Sequence, residues 1–154
     1  WTTSPEERTR LWQARHDLYW AVLPLRPGSQ SLATDVCVPI SRLAECVEET
    51  CRDIKDIGII APIVGHVGDG NFHTLPMAMP DDTAAWAKIK GFSERLSERA
   101  IAMGGTCTGE HGVGIGKQKY MAEEHGEGWS VMADIKRALD PNNILNPGKV
   151  VQIN

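Results

Sequence analysis

The sequence predicts an α+β domain: a ferredoxin-like antiparallel sheet with helices on one face, preceded by an extra helix and followed by a helical tail. Three observations lead there. From residue 34 onward, apolar runs and amphipathic stretches alternate as strand, helix, strand, strand, helix, strand. The two middle runs, 59–64 and 72–78, are separated by a short stretch rich in turn formers, which makes them a hairpin. Two long stretches, 41–57 and 81–103, carry apolar residues at helical spacing and supply the covering helices.

The first helix opens at Ser4-Pro5-Glu6-Glu7, with a capping Ser, a Pro in the first turn and acids at the positive end of the dipole. It should run to Val22 or Leu23, with Leu11, Leu18 and Val22 as its apolar stripe and Trp12 and Tyr19 beside it. Arg15 falls on the same stripe, where a snorkelling cation at the edge of the buried face is the ordinary explanation. A loop at 26–31 leads into a strand at 34–39. Ser41 then caps a helix with Leu43, Val47, Cys51 and Ile54 inward and Gly58 as its stop. After the hairpin, the helix of 81–103 presents Ala85, Trp86, Ile89, Phe92, Leu96, Ala100 and Met103, and Gly104-Gly105 ends it. A short strand at 106–108 enters a glycine-rich stretch. A short helix at 118–124, a last helix holding Trp129, Met132, Ile135 and Leu139, and a turn-rich tail at 140–149 complete the chain.

With 154 residues, a net charge of −4, 23% charged and 42% hydrophobic residues, the composition fits one globular domain with a real core. The acidic balance and the lack of a basic run with interleaved aromatics give no reason to expect nucleic-acid binding. No apolar stretch approaches the ~20 residues of a membrane span. The four cysteines form no Cys-x-x-Cys pair, so reduced, mostly buried thiols in an intracellular setting are expected. A chain that starts at Trp1 is expected to be a piece of something longer.

Two stretches carry chemistry. In 65–73 (Gly-His-Val-Gly-Asp-Gly-Asn-Phe-His), four turn formers, Gly68 to Asn71, lie between two histidines. If those four make the turn, His66 faces His73 across the hairpin, with Cβ atoms about 4.5–5.5 Å apart. Two imidazoles so placed can hold one divalent metal, and two surface histidines flanking a turn are the plain alternative. In 109–117 (Gly-Glu-His-Gly-Val-Gly-Ile-Gly-Lys), the glycines tempt a nucleotide-loop reading. The P-loop pattern fails at His111 and Gln118, and the dinucleotide pattern begun at Gly112 fails at Lys117. What remains is a pliable backbone around Glu110 and His111. Glu110 with His66 and His73 makes two imidazoles and a carboxylate with open coordination positions, which suits a Lewis-acid site. His111 suits a general base near neutral pH. In a regular strand Glu110 and His111 would point oppositely, so this reading requires an irregular loop.

These two stretches, together with 140–149 (Asp-Pro-Asn-Asn-Ile-Leu-Asn-Pro-Gly-Lys), resemble the C-terminal half of FAD-linked 2-hydroxyacid dehydrogenases of the vanillyl-alcohol-oxidase superfamily. Residues 11–16 and 35–43 look most like the cytochrome-type D-lactate dehydrogenase branch. The resemblance covers nearly the whole chain and makes 1–154 a cap domain that binds substrate and metal. It implies that His66, His73 and Glu110 bind zinc or manganese, and that Arg15 holds the substrate carboxylate. It further implies that His111 takes the hydroxyl proton as hydride passes from C2 to the flavin, and that Gly112, Gly114 and Asn146 lie near the flavin ring. Lys117 matches the motif without an evident role. In that family FAD sits mainly in an N-terminal domain with its own glycine-rich phosphate loop, and since nothing here matches that loop, the resemblance implies a chain without most of its flavin site.

The resulting expectation is the metal- and substrate-binding half of an FAD-dependent D-2-hydroxyacid dehydrogenase, with D-lactate as substrate and cytochrome c or a quinone as electron acceptor. Glycolate or D-2-hydroxyglutarate are alternative substrates. A dicarboxylate needs a second cationic anchor, and neither 31–34 nor the region of Tyr19 offers one. The rival from another class is a zinc hydrolase, and a metal-free interaction domain is a third reading. The resemblance places the protein in the bacterial cytoplasm, at most peripheral to the inner membrane, or in mitochondria of a eukaryote. A sheet face and a helix stripe shaped for a partner domain would leave apolar surface open, so a homo-oligomer is expected.

Overall fold

The computed structural model describes residues 2–153. Helix α1 (Pro5–His16) starts as its sequence dictates: the Ser4 hydroxyl accepts the Glu7 N–H at 3.4 Å. The expected single helix is interrupted at Asp17, whose ψ of −5° departs from the helical value, although its N–H still bonds the Gln13 carbonyl and its carbonyl the Ala21 N–H, both at 2.9 Å. Helix α2 (Leu18–Val22) and one 3₁₀ turn (Leu23–Leu25) follow. Helix α1 buries no residue of its own, with Leu11 59% exposed, whereas Val22 packs with Leu75 and Met77.

Strand β1 (Gln30–Ser31) leads to β2 (Val36–Cys37) and then to helix α3 (Ile40–Ile57). This helix starts one residue before the expected Ser41 cap, and no side chain caps it. It buries Cys46 and Thr50, while Cys51 is exposed rather than inward. At 100° per residue the stripe of Leu43, Val47, Thr50, Ile54 and Ile57 leaves Cys51 roughly 80° off its centre. Gly58 ends the helix in the left-handed region (φ 68°) and donates to the Ile54 carbonyl at 3.1 Å. Strands β3 (Ile63–His66) and β4 (Asn71–Thr74) form the hairpin. The expected strand 72–78 is interrupted at Pro76, after which β5 (Met77–Ala78) crosses to pair with β1 as a separate two-stranded ladder. Helix α4 (Thr83–Ala102) is capped by Asp82, whose carboxylate accepts the Ala85 N–H at 2.9 Å.

The main sheet has the order β2-β4-β3, all antiparallel, and a bridge between Cys37 and Thr106 adds the remnant of a fourth strand beside β2. That is the βαββαβ plan with its last strand reduced to a contact. One face carries Val36, Val38 and Phe72 against Cys46 of α3 and Phe92, Leu96 and Ala100 of α4. This core fixes which side chains point the other way. Because strand residues alternate, Phe72 inward sends Asn71 and His73 to the uncovered face. The chain then runs irregularly to a 3₁₀ turn (Gln118–Tyr120) and helices α5 (Met121–His125) and α6 (Glu127–Leu139). Helix α6 buries no residue, and Ile135, Leu139, Ile144 and Leu145 are exposed. Among the described residues, no helix is long and apolar enough to cross a membrane.

Candidate active site

The hairpin register differs from the expectation by one loop position. His66 is opposite Asn71 and His73 is opposite Val64, so the turn comprises 67–70 and the histidines are diagonal neighbours. They still share a face, with ring centroids 6.0 Å apart and planes at 88°. The register is set by Asn71, whose side chain is committed inside the sheet. Its Nδ2 donates to the Asp35 carboxylate at 2.8 Å and to the Val36 carbonyl at 3.0 Å, which removes it from the turn. Gly70 closes the turn at φ 76°, where a Cβ would lie 2.0 Å from the Val38 carbonyl oxygen.

The second stretch, 109–117, is irregular, as the convergence of Glu110 and His111 requires. Both residues' backbone N–H groups donate to one oxygen of Asp35, at 2.8 and 2.7 Å. Their side chains turn toward the histidines. Glu110 Oε1 lies 2.9 Å from His73 Nε2, 3.7 Å from His66 Nε2 and 3.9 Å from His111 Nε2. The His111 ring stacks on His73 with centroids 4.9 Å apart and planes 12° apart. Arg15 reaches in from α1 to place Nη2 2.9 Å from His66 Nε2. Guanidinium only donates, so His66 Nε2 is the acceptor there.

Two lone pairs meet at the centre of this group. His73 Nδ1 lies 3.0 Å from the Thr34 carbonyl, which can only accept, so Nδ1 carries a proton. In a neutral ring Nε2 then presents its lone pair to the Glu110 carboxylate at 2.9 Å. Two acceptors at that distance repel unless a second proton or a cation lies between them. Ligand atoms of His66, His73 and Glu110 all lie within 4.8 Å of one another, so these three residues can hold one metal ion. The Thr34 carbonyl fixes the ring of His73 from behind, the usual outer support of a metal-binding histidine.

These residues border a cavity of ≈ 360 Å³, closed on its apolar side by Leu18, Tyr19, Ala33, Val64 and Leu75. Gly114 and Asn146 lie elsewhere, sharing a groove of ≈ 490 Å³ with Met132, Ile135 and Leu145. Asn146 adopts positive φ (49°), and the Val150 N–H bonds the Gly114 carbonyl at 2.8 Å. Gly112 is not in that groove. Its carbonyl lies 3.1 Å from the Thr108 hydroxyl, at the start of the histidine-bearing loop.

Sequence reasoning passed over Asp35, Thr34 and Asn71. Asp35 is 2% exposed. Burial disfavours its charge, but the N–H groups of His111 and Glu110, the Asn71 amide and the Lys117 ammonium outweigh that and bring its pKa down to about 2. A carboxylate at the start of an apolar strand was the available signal. Lys117 also finds its place: its ammonium donates to the Asp35 backbone carbonyl at 2.8 Å, and burial lowers its pKa against the pull of Asp35.

Residues 1–150 match the family described as FAD linked oxidases, C-terminal domain. The chain is 51% identical over 154 residues to the probable mitochondrial D-lactate dehydrogenase of Danio rerio, covering 99% of this chain and 31% of that protein. It is 40% identical over 148 residues to the mitochondrial D-lactate dehydrogenase (cytochrome) of Arabidopsis thaliana, covering 96% and 26%. It is also 37% identical over 149 residues to the glycolate oxidase subunit GlcD of Bacillus subtilis, covering 94% and 31%. The structure of 4-ethylphenol oxidase from Gulosibacter chungangensis superposes with a TM-score of 0.66 at 23% identity, covering 97% of this chain and 31% of that one, a likeness of fold. The chain thus spans between 26% and 31% of the length of these proteins.

Proposed function

The chain belongs to the family of FAD linked oxidases, C-terminal domain, and from that membership we propose that it is the substrate- and metal-binding half of an FAD-dependent D-2-hydroxyacid dehydrogenase, oxidising D-lactate to pyruvate. The observation that carries the reading is the convergence of His66, His73, Glu110, His111 and Arg15 on one small cavity. An aliphatic 2-hydroxyacid matches that lining in three parts. Arg15 offers a planar, permanently charged fork to the carboxylate in exchange for the His66 nitrogen it now contacts. Leu18, Val64 and Leu75 face the short apolar tail. His111 takes the proton of the 2-hydroxyl.

Divalent metal fits the His66, His73 and Glu110 group because of the opposed lone pairs, and zinc or manganese would supply a Lewis acid for the 2-hydroxyl. FAD would supply the two-electron acceptor for the C2 hydride, held mainly by a flavin-binding domain outside this chain, with Gly112, Gly114 and Asn146 toward its ring. Loss of that hydride and of the hydroxyl proton converts the 2-hydroxyacid to the 2-oxoacid in balance. Membership of a flavin-linked family favours this over hydrolysis at the same metal-binding set.

D-lactate is preferred because two of the relatives are named for it. Glycolate is the second reading, supported by the Bacillus subtilis relative. A dicarboxylate such as D-2-hydroxyglutarate is disfavoured, since Arg15 is the one Arg or Lys among the cavity's lining residues. Cytochrome c or a quinone would reoxidise the holoenzyme, and mitochondria are the location in a eukaryotic source. The chain alone should fold, bind metal weakly, associate through its open apolar surface, and fail to hold FAD or turn over D-lactate. Zinc titration of the chain and of His73→Ala tests the site. Equal affinity in the two would refute the assignment. A substrate panel on the holoenzyme in which D-lactate is not among the best substrates would refute the choice of acid.

A further inference from the structure

We propose that Asp35 is a positioning residue that shapes the loop presenting Glu110 and His111; the inference rests on reading that loop as part of the metal- and substrate-binding site. The loop has little order of its own around Glu110 and His111. Four of the nine residues from 109 to 117 are glycines, and its internal backbone bond, from the Lys117 N–H to the Val113 carbonyl at 3.2 Å, lies beyond that pair. Asp35 supplies the missing order at both ends. One carboxylate oxygen accepts the N–H of Glu110 at 2.8 Å and of His111 at 2.7 Å, and lies 3.1 Å from the Thr108 hydroxyl. Its backbone carbonyl accepts the Lys117 ammonium at 2.8 Å. One buried residue therefore ties the loop where it begins and where it ends.

Consecutive N–H groups aimed at one oxygen curve the backbone around that oxygen. This is how adjacent side chains, opposite in a strand, come to face the same histidines. Asp35 also has an oxygen near ligand atoms of His73 and His111, but its oxygens already accept the Asn71 amide at 2.8 Å on one side and the loop N–H groups on the other. The residue before it fixes His73 through the Thr34 carbonyl. A single turn of strand thus orients two of the three proposed ligands and the proposed base.

The test compares the unaltered chain with Asp35→Asn and Asp35→Ala, using zinc alone as probe. Asn at 35 keeps one oxygen for the Glu110 and His111 N–H groups but loses the charge, and Ala removes the acceptor altogether. The expected result is about 10–100-fold weaker zinc binding in Asp35→Ala, the usual size for outer-shell losses, with a smaller loss in Asp35→Asn. Unchanged zinc affinity in folded Asp35→Ala, with only its melting temperature lowered, would overturn the proposal. Amide hydrogen exchange in the unaltered chain needs no variant. The Glu110 and His111 amides should exchange slowly in spite of their exposed side chains, and fast exchange at both would overturn the proposal on its own. A chain that binds no zinc yet protects both amides supports the positioning role and refutes the metal assignment above.

Discussion

Gly109→Ala should be among the most damaging single-methyl additions in this chain, and its cost can be worked from the site. A Cβ at 109 would lie 1.9 Å from Asn71 Nδ2, 2.9 Å from Asp35 Oδ1 and 3.0 Å from Asn71 Cγ. Asn71 has nowhere to go. It is 6% exposed on a central strand, and its Nδ2 bonds the Asp35 carboxylate and the Val36 carbonyl. Moving it removes one hydrogen bond to a charged group, about 1.5–3 kcal/mol, and one neutral bond, about 1 kcal/mol. A loss of about 2.5–4 kcal/mol follows, which for a domain of this size lowers the melting temperature by roughly 5–16 °C. The assay is urea unfolding of the chain, read at constant m. Gly112→Ala is the control. It meets nothing within 4 Å, but its φ of 79° strains any side chain, at about 1–2 kcal/mol. Gly109 is not in that region, so its cost is steric alone. A Gly109→Ala loss no larger than that of Gly112→Ala would refute the reasoning. So would full additivity with Asn71→Ala, because that change already removes the severest clash, with the Asn71 amide, and both bonds.

Phe92 is fully buried between the helices and the sheet, so Phe92→Ala should cost about 3–5 kcal/mol in the same assay, whereas Cys51→Ala, on the exposed flank of α3, should stay within about 0.5 kcal/mol. Arg15→Ala in the holoenzyme should raise KM for D-lactate about 10–100-fold, the loss of a charge-assisted contact worth about 1.5–3 kcal/mol, while leaving a carboxylate-free alcohol unaffected. The tail loop should be acid-labile. The Lys136 ammonium, with the N–H groups of Ile144 and Leu145 and against the effect of burial, lowers the pKa of Asp140 from 3.8 to about 2. Because the folded value is the lower one, this stabilisation is complete above pH 3.8 and is lost as the pH falls through about 2. Amide exchange at Ile144 and Leu145 should rise over that window, and Asp140→Asn should abolish the step.

Much of this structure was legible beforehand because local chemistry and long-range packing agree. Ser4, Asp82 and Gly58 act as helix signals with the partners their residue types imply, whereas Ser41 lies inside α3, which begins at Ile40 after Pro39. The strand order follows from the alternation of runs. What the sequence concealed was decided between distant segments. The hairpin register shifted because Asn71, a turn former by composition, is held by Asp35 and Val36, thirty-six and thirty-five residues away. The interruption at Asp17 follows a helix α1 that buries none of its residues. Asp35 itself reads as an odd charge in a strand until the glycine-rich loop closes over it. The cluster of His66, His73, Glu110 and His111 was visible as residue types at suggestive places. The close approach of His73 Nε2 to the Glu110 carboxylate, which a second proton or a cation would relieve, needed coordinates.

The most direct test is anaerobic mixing of the flavin-loaded holoenzyme with D-lactate, watching the flavin absorbance, for the unaltered protein and for His111→Asn. Prompt bleaching with D-lactate that slows about 10²–10⁴-fold in the variant, the usual contribution of a general base, is the predicted result. Bleaching at the same rate without His111, or none with any 2-hydroxyacid, would contradict the account.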